Sequence, residues 1–134
     1  MDPFRDLLPT HKLDLERARA AIAAGYPAVE PILGRLVEWL QDCNWPVARV
    51  LLPFLQSIGA PLAPHIWHVL GSNDDIWKYW VVGELIPSLP KEVAVAFRPE
   101  LVRLAHHPTP NEKAEELDNA ARNVLAHFEW IENP

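Results

Sequence analysis

The stretch Pro64-His65-Ile66-Trp67-His68-Val69 has two counterparts, Pro31-Ile32-Leu33-Gly34-Arg35-Leu36 and Pro99-Glu100-Leu101-Val102-Arg103-Leu104. The three copies of Pro-x-(Ile/Leu)-x-x-(Leu/Val) start 33 and then 35 residues apart. Their two apolar positions stand three residues apart, on one face of a helix that begins at the proline. A second repeat, Gly25-x-Pro27 and Gly59-x-Pro61, precedes the first two copies at a spacing of 34. A fixed period in this range marks helical units that cannot bury an apolar face alone and so stack on their neighbours.

Working outward, the pattern predicts about seven helices. Leu13 to Ala24 is the first and Gly25 ends it, with Pro27 opening the second, which runs to about Gln41. Asn44 is the expected N-cap of a third helix that reaches Ser57, with a kink at Pro53. A fourth ends near Leu70. The fifth, Ile76 to about Ile86, is apolar almost all round and is expected in the middle of the stack, covered on both sides. Lys91 to Ala105, bent at Pro99, is the sixth, and Glu112 to Ile131 is a closing amphipathic helix. No segment alternates with the period of a strand. The expectation is a single all-α domain over residues 1–134, a HEAT/armadillo-like stack of antiparallel helix pairs. Residues 1–12 form an N-terminal arm and residues 112–131 a capping helix.

Four motifs add a resemblance. Leu8-Pro9-x-x-Lys12-x-Asp14, Gly25-Tyr26-Pro27-Ala28-Val29-x-Pro31, Asn44-Trp45-Pro46-Val47-Ala48 and Asp74-Asp75-Ile76-Trp77-Lys78-Tyr79-Trp80 resemble short bacterial proteins of domain of unknown function 5071. The likeness spans roughly Leu7 to Phe128. It implies a HEAT-like helical fold and no activity, since the family has none assigned.

Composition narrows the function classes. With 134 residues, 49% of them apolar and 22% charged, the chain is long enough for a core without disulfides or metal. A formal charge of −6 argues against a nucleic-acid backbone as partner, because that contact is built from Lys and Arg. Cys43 is the sole cysteine, which excludes an intrachain disulfide. No apolar run is long enough for a membrane span and no secretory leader is evident, so a bacterial cytoplasmic location is the default expectation.

Asp74 to Trp80 is the densest constellation, with two carboxylates, an ammonium and three aromatics. Its architectural reading makes Asp74 or Asp75 a helix cap, the Trp rings core, and Lys78 a group that must reach solvent or a carboxylate. Its functional reading uses repeat geometry: equivalent loops of stacked units share an edge. Asp42, Asn44, Trp45, Asp74, Asp75, Trp77 and Lys78 would then line one acidic, Trp-containing rim. His65-x-x-His68 has a spacing zinc can use, but no third ligand is linked to it, and no metal or cofactor is expected. No Gly-x-Ser-x-Gly or phosphate loop is present, so no catalytic residue is assigned.

The favoured expectation is a non-catalytic protein-binding scaffold, adaptor- or immunity-like, that masks a basic partner. The alternative is an enzyme of the HEAT-like DNA glycosylase type, using Asp74 or Asp75 beside Trp45 and Trp77. It requires Arg35, Arg49, Arg98 and Arg103 to converge on a basic groove.

Overall fold

Proline governs how the helices begin. In the computed structural model, which describes residues 3–130, Glu30-Pro31-Ile32, Ala60-Pro61-Leu62 and Ile86-Pro87-Ser88 are each a 3-10 turn with proline second. Proline lacks the N–H that has no acceptor in a first turn and presets φ for the helix. The first two turns lead into α2 (Leu33–Val37) and α4 (Ala63–Leu70). The others are α1 (Leu15–Ala24), α3 (Pro46–Gln56), α5 (Asp75–Glu84), α6 (Lys91–Ala94), α7 (Arg98–His106), α8 (Pro110–Ala114) and α9 (Leu117–His127). The fold is all-α, with no strand among the described residues.

Leu33, Leu36, Ile66, Val69, Leu101 and Leu104, the apolar members of the three copies, are all buried. The matching prolines Pro31, Pro64 and Pro99 are exposed. One apolar cluster runs from Ala18 to Trp130. Helix α1 packs on α3, α2 lies beside α4, and α9 packs against both α5 and α7. Gly34 allows the close approach of α2 and α4, because a Cβ there would stand 2.9 Å from Nδ1 of His65.

Several local expectations are corrected. The expected helices appear among the described residues as nine α-helical segments, the sixth and seventh each being divided in two. The second ends in a 3-10 stretch, Glu38–Gln41, and residues 91–106 contain the 3-10 turn Val95–Phe97. Tyr26–Pro27 is a cis peptide, and helical structure starts at Glu30 instead. As expected, helix α3 carries Pro53 in its interior and runs to Gln56. The capping helix is two helices, parted where Glu116 takes a left-handed conformation at φ 60°; its expected end at Ile131 lies outside the described residues. Met1 and Asp2 of the arm lie outside them too.

Asn44 does not cap α3. Trp45 holds the N-cap position without a side-chain cap bond, and the Val47 N–H donates to the Lys12 carbonyl at 3.0 Å. The N-terminal arm therefore supplies an acceptor that local sequence was expected to provide. The fifth helix is not covered on both sides either: Ile76 is 48% exposed and Gly83 is exposed.

Gly25 ends α1 at φ 75°, ψ −179°, a region open essentially to glycine alone. Gly25→Ala is expected to destabilise by about 1–3 kcal/mol, read by urea denaturation. A shift below ~0.5 kcal/mol, the size of an ordinary surface change, would show that the turn can relax.

Candidate functional site

The seven expected rim residues divide into two groups. Asp74 accepts the Trp77 N–H at 3.0 Å and is the N-cap of α5. Trp77 is 6% exposed, and its indole N–H donates across the core to the Val37 carbonyl at 3.2 Å. Lys78 is buried and has found carboxylates, with Nζ 3.0 Å from Asp75 and 3.5 Å from Glu112. Asp75 also accepts from the Asn111 side-chain amide.

Glu112 is the centre of this network and only 3% exposed. The Arg103 guanidinium grips it with two bonds of 3.0 and 2.8 Å while also reaching Glu100. Thr109 and Glu112 form a reciprocal capping box at the start of α8. The Arg103 hydrogen bonds, opposed by burial and helped by the Thr109 N–H and the Lys78 charge, lower the Glu112 carboxyl to about 2. These groups tie α5, α7 and α8 together, and their charges are already matched to one another.

Asp42, Asn44 and Trp45 have other partners. Asp42 accepts the Asn44 N–H at 2.8 Å, closing the turn that delivers Trp45 to α3. Trp45 meets Trp39 edge to face, with ring centroids 5.8 Å apart. Both rings are half-buried and line a cleft of about 340 Å³ with Leu8, Pro9, Glu38 and Arg35. None of Asp74, Asp75, Trp77 and Lys78 lines this cleft. Trp39 was absent from the expected site, although it stands off the face formed by Leu33, Leu36, Val37 and Leu40. Leu8 and Pro9 reach the cleft only through the fold.

Cys43 is buried, and desolvation, with the Glu84 and Asp42 carboxylates adding to it, pushes its thiol up to about 12. A thiol so protonated is a poor nucleophile. Burial, with His68 adding to it, lowers the His65 imidazole. No group of three potential metal ligands occurs among the described residues. None of their helices is long and apolar enough to cross a membrane.

A second hollow lies between α5 and α9. It measures about 330 Å³ and is lined by Tyr79, Trp80, Gly83, Glu84, Val124 and His127, among others. Tyr79 and Trp80 also wall an adjoining hollow of about 240 Å³ that reaches Ile76, Glu115 and Glu116. Glycine in an exposed helical position costs about 1 kcal/mol relative to alanine. Gly83 nonetheless shows no positive φ, and a Cβ there would meet nothing within 4 Å.

Comparison with known proteins gives one assignment. The family model described as domain of unknown function (DUF5071) matches residues 7–125. No curated protein matches the chain.

Proposed function

We propose that this chain, which belongs to the DUF5071 family, is a non-catalytic protein-binding module that engages its partner through the Trp45 cleft. The observation that carries the reading is the half-buried Trp39–Trp45 pair walling a cleft of about 340 Å³. Two indoles held against each other present a large rigid apolar surface that loses little side-chain entropy on binding, the quality found at interface hot spots. Glu38 and Arg35 lie in the lining, and Asp42 and Arg49 hold Asn44 beside it. With a formal charge of −6 overall, the module suits a partner with a basic rim around an apolar anchor.

The carboxylates an enzyme would use support the same reading. Asp74 is a cap and Asp75 is held by Lys78 and Asn111. Of the four arginines that a nucleic-acid groove would need, Arg35 lines the cleft and Arg49 donates to Asn44 beside it, while Arg98 stands over Trp130 and Arg103 holds Glu112. In this proposal Asp42, Asn44 and Trp45 face the partner, while Asp74, Asp75, Trp77 and Lys78 hold the scaffold that presents them.

Capture from a native lysate, quantified by mass spectrometry, tests the reading with wild type beside Trp45→Ala and Asp42→Asn. Loss of a hot-spot aromatic costs about 2 kcal/mol or more, so a specific partner should fall roughly thirtyfold in affinity with Trp45→Ala. Asp42→Asn should weaken it less and reduce its salt dependence. A partner held equally by folded Trp45→Ala protein would place the contact elsewhere.

A further inference from the structure

We propose that the groove between α5 and α9 is a second binding surface, for an extended peptide segment with a Lys or Arg at each end. This surface shares no lining residue with the Trp45 cleft and does not depend on it. Its walls are the edge-to-face pair Tyr79 and Trp80, whose ring centroids stand 5.2 Å apart, and its far end opens beside exposed Ile76.

Charge complementarity identifies the occupant. The lining carries Glu84 towards one end and Glu115 and Glu116 at the other, with no Lys or Arg among them. None of these three carboxylates forms an ion pair or side-chain hydrogen bond among the described residues. Glu84 is also badly placed for its own helix. It is the last residue of α5, where the helix dipole disfavours an anion, and no basic residue shares that turn. A cation arriving from outside would relieve it. Aromatic faces between acidic ends suit the aliphatic stems and cationic heads of Lys and Arg.

Gly83 indicates how closely the occupant approaches. Nothing within the chain requires glycine there, since its φ is ordinary and the space above it is open. Open space on the floor of a groove lets a partner backbone lie against the helix. From Ile76 to Glu84 the helix rises about 12 Å at ~1.5 Å per residue, the span of about four residues of extended chain at ~3.3 Å each. The recognised segment therefore has its two cations about four residues apart.

A peptide array tests this. Peptides of about five residues with Lys or Arg at both ends and randomised centres are presented beside the same set with Glu at both ends. Wild-type protein should select members of the basic set, and binding should weaken as salt rises. Gly83→Leu fills the floor, and its side chain projects into open space, so circular dichroism should show a folded protein. It should bind the selected peptides at least roughly tenfold more weakly, as loss of a central contact does, and Glu115→Gln with Glu116→Gln should weaken them as well. Trp45→Ala should bind them as wild type does, which separates this surface from the cleft.

Equal or absent binding to the two sets would overturn the proposal. So would unchanged affinity in folded Gly83→Leu protein. A wild-type dimer in light scattering that Gly83→Leu dissolves would give the groove to a second copy of the chain, and would overturn it too.

Discussion

Glu112→Ala is expected to be the most damaging single substitution among the charged residues, lowering stability by about 3–5 kcal/mol. In a domain of this size that corresponds to a fall in Tm of roughly 10–20 °C. Three losses combine. The bidentate Arg103 contact disappears, the buried Lys78 ammonium keeps only Asp75, and the capping box at Thr109 is broken. Glu112→Gln should cost less, because an amide can still accept at the cap while its charge is gone.

The same carboxylate predicts the acid limb of the stability curve. Its folded value, about 2, lies below the ordinary 4.5, so its contribution is complete above pH 4.5 and is lost as pH falls towards 2. Asp14 acts in the same direction. The Thr10 N–H, opposed by burial but joined by the Thr10 hydroxyl and Arg17, holds it below the usual aspartate range. Urea denaturation between pH 6 and 2.5 (the conditions of the test) should show wild type weakening faster than Glu112→Ala below 4.5. Parallel curves would mean that Glu112 titrates normally.

Leu36→Ala and Leu104→Ala are each expected to cost about 2–5 kcal/mol, through lost burial and the cavity left behind. Both side chains are completely buried, at equivalent positions of the first and third copies. Since whole domains are stable by only about 5–15 kcal/mol, either variant should be visibly marginal. Leu13→Ala, at a residue 62% exposed, is the control and should change stability by less than ~0.5 kcal/mol. Urea midpoints with an unchanged m-value report the difference. A Leu36→Ala midpoint equal to that of Leu13→Ala would mean that the periodic positions do not build the core.

The helical class, the identity of the buried face and the main punctuation were legible in the residues alone. These follow from rules that act within a few residues: a proline that must sit in a first turn, a glycine that can take positive φ, apolar residues three apart. Asp74 as a cap is local in the same sense, since its oxygen needs to reach only Trp77. The need of Lys78 for a carboxylate was also legible, because a buried ammonium has few alternatives.

Which carboxylates meet Lys78, and which surfaces stay open, depended on long-range packing. Glu112, more than 30 residues from Lys78 in sequence, reaches it only because α8 docks beside α5. The helix start that Asn44 was expected to cap received its acceptor from Lys12, and the same arm brought Leu8 and Pro9 to the cleft. The 3-10 stretch Glu38–Gln41 brought Trp39 to the cleft that Trp45 lines, to which Asp74, Asp75, Trp77 and Lys78 contribute nothing. Helix α5, apolar almost all round in sequence, kept one face open because α9 covers only part of it. Periodicity records which residues avoid water. It does not record which distant segment does the covering, or where that cover ends.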